Sequence, residues 1–287
     1  MATIPAEDAW AGERVERWLA RAAGLERQLE PVADVLFAAA ALRRDERVLD
    51  VGCGTGPTTR RAAHAVGAGG RVVGLDISAQ MLAAAAERPS EDGGAPLEWV
   101  TADAVCWQPD PGAFDVVLSR FGVMFFSDPA AAFGRLAAAT RPGGRLVMTV
   151  WARRDESELF AVPLHAALDE LRRRGMAVQA PEDDAAFSLA DPTVVTTLLT
   201  GAGWSSIACT RHRLVLPFGG GLDASAAAVA AMDVGPARQV TAELESADRA
   251  AVTAAIATAF ARHLDTNGHV NLNAGILLVT AVHPKAA

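Results

Sequence analysis

Apolar residues fall in short, almost unbroken runs at five places in the first half of the chain: RVLDV (47–51), RVVGLD (71–76), LEWVTAD (97–103), FDVVLSR (114–120) and RLVMTVW (145–151). Runs of this length, rich in valine, predict strands buried on both faces. The segments between them read as helices. Pro57 and Gly67 bracket one over 57–67, Ser78 is a candidate N-cap for another over 79–88, and Asp128-Pro129 opens a third that reaches Thr140. Strands and helices alternating at this pitch predict right-handed βαβ units and a parallel sheet.

The flanks are patterned differently. Residues 8–42 read as helical, with Trp10, Val15, Trp18, Leu19, Leu25 and Leu29 at helical spacing and Pro31 opening a second helix. After the fifth strand comes a charged helix and a Pro/Asp-rich loop over 155–190. A helix follows over 192–201, then a strand over 206–216, a mostly helical insert over 222–266 and a last apolar run, GILLVTAV (275–282).

The first strand runs straight into Gly52, Gly54 and Gly56. Glycines between a strand and a helix N-terminus let a ligand approach the backbone. In GCGTGP the third glycine comes one place too early for the dinucleotide pattern G-x-G-x-x-G, which argues against a pyrophosphate and for a shorter ligand with an amino-acid tail. Asp76 closes the second strand about 20 residues further on, where a ribose-binding carboxylate stands. Asp103 closes the third, placed to accept from an adenine amino group.

Composition narrows the chemistry. The chain has 287 residues, about half apolar, enough for one elaborated domain. The net charge of −8 shows no basic face for nucleic acid. No tyrosine is present and the only lysine is Lys285, which removes a phenolic base, Schiff-base chemistry and a Walker-type lysine. Cys53, Cys106 and Cys209 form no CxxC pair, the histidines show no metal-ligand spacing, and no stretch reads as a membrane span or secretory signal. The expectation is a cytoplasmic protein without a metal, with its oligomeric state open and a homodimer among the options.

VLDVGCGTG, GLDIS, TADA, FDVVLSRFGVMFFSDP and RPGGRL, in that order over 47–151, resemble the class I S-adenosylmethionine-dependent methyltransferases, in particular a bacterial small-molecule branch. FSLADP, GAGW, DVGPA and GILLVTA continue the likeness more weakly. The resemblance implies an α/β fold: a doubly wound, seven-stranded, mostly parallel, Rossmann-like sheet with its last strand antiparallel. It implies one domain over 1–287, divided into an N-terminal helical cover (1–42), a cofactor core (43–154) and lid insertions at 155–190 and 217–268. It implies S-adenosylmethionine as cofactor and S-adenosylhomocysteine as product.

Carried over by residue, Gly52, Gly54 and Gly56 would pass the methionyl part. Asp50 would hold the loop and the cofactor amino group, and Cys53 would fill space. Asp76 would take the ribose hydroxyls. Ile77 and Met81 would pack on adenine, with Asp103 and Ala104 at its edge. Ser119 and Arg120 would lie near the methionyl group and the methyl. Many relatives bring a tyrosine from the N-terminus; here Trp10, Trp18 or a phenylalanine must close that side, or it stays open.

Methyl transfer is an in-line displacement that needs a base only if the acceptor must lose a proton. His165, in a segment expected to overhang the pocket, is the leading candidate, with His212, His263 and His269 behind it. The implied function is methylation of O, N or C on a small molecule, such as a bacterial secondary metabolite. The alternatives are a cofactor-holding enzyme with non-methylating chemistry such as a cyclase, an NAD-dependent dehydrogenase, and an enzyme acting on RNA or protein.

Overall fold

In the first strand, β1 (Arg47–Val51), Val48 packs into one apolar layer while Leu49 and Val51 pack into another. The same split recurs in β2 (Arg71–Asp76), with Val72 against Val73 and Leu75, and in β4 (Phe114–Arg120), with Val116 and Leu118 against Val117. Successive side chains of a strand point to opposite faces, so two covered faces demand an unbroken apolar run. The runs predicted from sequence are these strands. The computed structural model describes residues 10, 12–89, 93–182, 185–233 and 235–285.

The described residues open with three helices: α1 (Glu13–Ala20), α2 (Ala22–Gln28) and α3 (Glu30–Ala40). After β1 come α4 (Pro57–Val66), β2, α5 (Ala79–Ala86), β3 (Leu97–Thr101), β4, α6 (Pro129–Ala139) and β5 (Thr140–Trp151). The second half holds α7 (Glu158–Arg173), α8 (Pro192–Gly201), β6 (Ser205–Pro217), α9 (Ala224–Ala231), α10 (Pro236–Thr241), α11 (Ser246–Phe260) and β7 (Asn271–Val282). The seven strands form one sheet in the order β3-β2-β1-β4-β5-β7-β6. β1 to β5 pair in parallel, and β7 runs antiparallel to both its neighbours, β5 and β6. This is the doubly wound α/β sheet that the resemblance implied.

The predicted helix starts have the expected chemistry. Ser78 Oγ accepts from the Met81 N–H at 3.4 Å, and Asp128 Oδ1 accepts from the Ala131 N–H at 3.0 Å with Pro129 just inside α6. Three boundaries differ. β3 stops at Thr101, because Asp103 folds back to accept from the Val105 N–H at 2.8 Å. β5 begins at Thr140, opposite Phe114, and a register shift carries the Pro-Gly turn before Arg145 takes up regular pairing. The N-terminal segment is three helices, bent at Arg21 and Leu29. Those bends bring Arg21 to an ion pair with Asp233 and Gln28 Oε1 to the Gly219 N–H at 2.6 Å. Residues 1–9 and 11 of the predicted cover lie outside the described residues.

Strand order reverses between β1 and β4, whose carboxyl ends therefore frame the crevice where open α/β sheets bind ligands.

Candidate functional site

The β1–α4 loop has all three glycines at positive φ: +67° at Gly52, +56° at Gly54 and +78° at Gly56. Their surroundings differ. A Cβ on Gly52 would overlap Gly122, in the turn after β4, and one on Gly56 would overlap the Trp99 ring. A Cβ on Gly54 would meet nothing within 4 Å. Gly54 alone of the three has its Cβ direction open, while Gly52, which also lines the cavity, and Gly56 are glycine for the sake of protein neighbours. The expectation that all three pass a ligand is corrected to this extent.

Asp76 faces that cradle. Its Oδ2 accepts from the Gly54 N–H at 2.7 Å and its Oδ1 from the Ser78 N–H at 2.9 Å. A carboxylate offers about four lone-pair directions, so these two bonds do not exhaust its capacity to accept from the hydroxyls of a diol. Burial pushes its pKa above the ordinary carboxylate value, against the opposing pull of the Ser78 and Gly54 amides.

Gly54, Asp76 and the predicted Gly52, Cys53, Ile77 and Met81 all line one cavity of about 750 Å³. Asp103, Ala104 and Arg120 line it as well. Arg120 donates to the Leu29 carbonyl at 3.4 Å; burial pulls its pKa down while Asp50 and Glu26 hold its charge. Burial, reinforced by the Asp50 and Asp76 carboxylates, keeps the Cys53 thiol well above its usual pKa and so protonated.

Three predicted residues stand behind the cavity wall. Asp50 is fully buried, and its Oδ2 accepts from Thr58 Oγ1 at 2.6 Å and Thr59 Oγ1 at 2.7 Å, which ties β1 to the first turn of α4. Its Oδ1 has no partner among the described residues, and burial raises its pKa. Ser119 Oγ donates to the Val51 carbonyl at 2.8 Å and accepts from the Gly122 N–H at 3.2 Å, so it clamps the Gly52–Gly122 crossing without reaching the cavity. Gly56 packs under Trp99.

His165 does not overhang the site. It sits on the exposed face of α7, whose Leu159, Phe160 and Pro163 are the residues that line the cavity. Helical spacing puts 159, 160 and 163 on one face and turns 165 away. Nor does another histidine reach it. His64 is exposed, His212 lines a separate pocket beside Glu156, and His263 lies 3.9 Å from Glu158. His269 sits exposed next to Gly221, and His283 Nδ1 is 2.7 Å from the Thr140 carbonyl. No group of three metal-ligating side chains occurs among the described residues, and no helix among them is long and apolar enough to cross a membrane.

Beyond the glycine loop the cavity becomes aromatic. Phe121 stacks on Trp151 with ring centroids 3.9 Å apart and planes 15° from parallel, and Phe160 stands edge-on to Trp151 at 5.0 Å. Phe121 holds φ +67°, rare for a bulky residue, next to the Gly52–Gly122 crossing. Trp10 packs edge-on against Trp18 at 5.8 Å and Phe125 at 5.0 Å, and all three line the cavity. The sequence marks Phe121 only as part of the aromatic stretch FGVMFF (121–126), a candidate for core or pocket wall; its conformation is not legible there, because it is set by the strand end and the crossing behind it. The α2 latch was also missed. Glu26 Oε1 accepts from Thr55 Oγ1 at 3.0 Å and from Arg88 at 2.6 Å, which joins the cover to the glycine loop.

A backbone cradle, a carboxylate for a diol and an apolar shelf at Ile77 and Met81 fit a nucleoside with a short amino-acid tail. The sequence profile of the family described as "Methyltransferase domain" matches residues 48–144. Over that segment the chain is similar to the class I S-adenosylmethionine-dependent methyltransferases. Over 170 residues the chain is 34% identical to trans-aconitate 2-methyltransferase of Paracidovorax citrulli, covering 59% of this chain and 58% of that one. Over 119 residues it is 37% identical to nocamycin O-methyltransferase of Saccharothrix syringae, covering 42% of each. The matches span about a quarter to three fifths of the curated relatives' own lengths. Among solved structures, phosphoethanolamine N-methyltransferase 2 of Haemonchus contortus superposes with TM-score 0.56 at 17% identity, covering 99% of this chain and 61% of that one. The cyclase SpnF superposes with TM-score 0.52 at 19% identity, covering 89% and 82%. At such identities these two likenesses speak for the fold alone.

Proposed function

We propose that this chain transfers the methyl group of S-adenosylmethionine to an oxygen, nitrogen or carbon of a small molecule of bacterial secondary metabolism, in a reducing cytoplasm. The observation that carries the reading is the open Gly54 cradle facing Asp76 in a cavity that continues without a break into the aromatic chamber of Phe121, Trp151 and Phe160. At about 750 Å³ it lies in the upper part of the small-molecule range of roughly 300–1,000 Å³, which suits two ligands held end to end.

In this reading Asp76 receives the ribose hydroxyls, Ile77 and Met81 hold the adenine face, and Asp103 and Ala104 meet its edge. Gly54 admits the methionyl backbone, and Arg120 lies beside it. Asp50 and Ser119 act one step back, by fixing the loop. The bound sulfonium supplies an electrophilic methyl and a neutral thioether leaving group. The chain's task is to orient the acceptor and keep water out. Residues 10–42 act as the cover, and the insertions at 155–190 and 217–268 as lids, because Phe160, Ala186, Phe218 and Leu222 contribute walls.

The test is isothermal titration calorimetry with S-adenosylmethionine and with NADH, on wild type and Asp76→Ala. The expected result is S-adenosylmethionine binding that Asp76→Ala removes, and no NADH binding. Preference for NADH would overturn the reading. Release of S-adenosylhomocysteine during turnover distinguishes methyl transfer from a fold that keeps the cofactor as scaffold.

A further inference from the structure

We propose that the acceptor is a planar aromatic anion whose own ionised oxygen is the nucleophile, and that Arg238 binds its negative charge. The proposal rests on the methyl-transfer reading and deepens it.

The first observation is what the cavity lacks. All six histidines lie elsewhere, the chain has no tyrosine, and its only lysine, Lys285, sits beside Gly143. Cys53 is held protonated. The lining carboxylates are Glu26, Asp76, Asp103 and Asp233. Asp76 and Asp103 flank the nucleoside end, Glu26 is engaged by Thr55 and Arg88, and Asp233 is paired with Arg21. A neutral alcohol or amide would have to shed a proton to a group of suitable pKa, and the described residues offer none at the acceptor end. An ionised acid needs none. Its oxygen forms the new bond to the methyl carbon as the carbon–sulfur bond breaks with its electron pair going to sulfur. The negative and positive charges cancel, and no proton is left to remove.

The second observation is charge. In a chain of net charge −8, six arginines line this one cavity against four carboxylates. Such a concentration of one sign in a low-dielectric cleft draws in the opposite sign. Most of these arginines are occupied. Arg17 pairs with Glu13, Arg21 with Asp233, Arg27 bonds the Gly220 carbonyl, and Arg120 bonds the Leu29 carbonyl. Arg14 lies over the Trp10 ring, 4.3 Å from its centroid. The half-buried Arg238 guanidinium has no hydrogen-bond or ion-pair partner among the described residues. A planar fork of this kind matches an oxyanion.

The third observation is a flat aromatic wall lining the same cavity. Arg238 lies one turn along from Gly235, whose missing Cβ would stand 3.7 Å from the Phe160 ring. Phe160 is edge-on to Trp151, itself stacked on Phe121. Aromatic walls favour offset or edge contacts with a flat ring.

The experiment titrates 2-naphthoate, 2-naphthamide and decalin-2-carboxylate into protein saturated with S-adenosylhomocysteine, read by calorimetry. Naphthoate should bind at least about tenfold more tightly than either the uncharged amide or the saturated acid. Arg238→Gln should bring naphthoate down to the amide's level and leave the amide and S-adenosylhomocysteine affinities unchanged. Arg238→Lys should recover part of the loss. Equal affinity for acid and amide, equal affinity for flat and saturated acid, no effect of Arg238→Gln, or no binding of any of the three overturns the acceptor class. If S-adenosylhomocysteine itself does not bind, it is the methyl-transfer reading that falls, and this inference falls with it.

Discussion

Gly52 and Gly122 cross backbone against backbone: a Cβ on Gly122 would stand 2.6 Å from Gly52 Cα, and one on Gly52 would overlap Gly122 in return. This contact, clamped by Ser119, sets where the β1–α4 loop leaves the sheet. Gly52 and Gly54 therefore answer differently to the same substitution. Gly52→Ala must move a backbone that cannot give, on top of the left-handed penalty of roughly 1–2 kcal/mol. The expected loss of stability is about 3 kcal/mol or more. Gly54→Ala pays only the conformational penalty, since its Cβ meets nothing within 4 Å. It should fold with only that loss of roughly 1–2 kcal/mol and lose S-adenosylmethionine affinity by tenfold or more, because the Cβ fills the cradle. Denaturation and calorimetry on the two variants decide the matter; matching profiles for both would overturn this division of roles.

The Asp76 carboxylate should give cofactor affinity a pH dependence. Burial raises its pKa in the free protein, while a diol donates to the ionised form. Affinity should therefore fall as the pH drops, beginning above the ordinary carboxylate range of about 4. In Asp76→Asn the slope should vanish and binding weaken by about 10–100-fold, equivalent to roughly 1–3 kcal/mol for hydrogen bonds to a charged group. Calorimetry between pH 5 and 8 on both proteins is the check, and a flat wild-type profile counts against the role.

Much of this was legible in the sequence, for identifiable reasons. Val48 to Val51 and Val116 to Leu118 could be read as central strands because both faces of each are covered, which leaves no polar alternation to confuse the pattern. Asp76 could be read as a site residue because its distance from the glycines is a property of one βαβ unit. Gly52's reason could not, since Gly122 is brought beside it only by sheet order. The same holds for the conformation of Phe121, set at φ +67° beside the crossing, and for Arg238, which reaches the cavity through the packing of α10 on α7. His165 was misplaced for a simpler reason: its segment does reach the cavity, but with the other face of the helix.

Acid should unfold the protein through the cluster at the opposite end of the sheet. Arg145 holds Glu46 with two bonds of 2.8 Å, and the Arg43 N–H adds a third at 2.9 Å. Burial opposes ionisation of Glu46, but these contacts outweigh it and its pKa is lowered. Asp115 is likewise lowered, with burial outweighed by the Arg47 N–H and by the Arg141 and Arg47 side chains. A folded pKa below the unfolded one stabilises above the unfolded value and loses that contribution as pH falls through the folded value. Stability should thus drop from about pH 4 downward. Glu46→Gln should cost about 2–3 kcal/mol at pH 7 and progressively less in acid. Urea midpoints at pH 7 and below pH 4 measure the gap, and a gap independent of pH would deny Glu46 its charge role.

Glu26 is the point where the cover holds the cofactor loop, and its loss should free the one from the other. Its Oε1 receives both Thr55 and Arg88, from the loop and from the end of α5. The far side of the cover stays anchored by Gln28 on Gly219 and Arg21 on Asp233. Glu26→Gln keeps an acceptor for Thr55 but removes the charge that holds Arg88, a pair exposed enough to be worth about 1 kcal/mol or less. Global stability should therefore change little. Opening of the cover needs only the latch to break, so hydrogen exchange at residues 22–28 should speed up several-fold. S-adenosylmethionine should also dissociate faster while its association rate is nearly kept, since a cover that opens more often shortens the bound lifetime. Exchange mass spectrometry and stopped-flow release measure the two effects together. Faster exchange with unchanged release would mean that α2 packs over the loop without gating it.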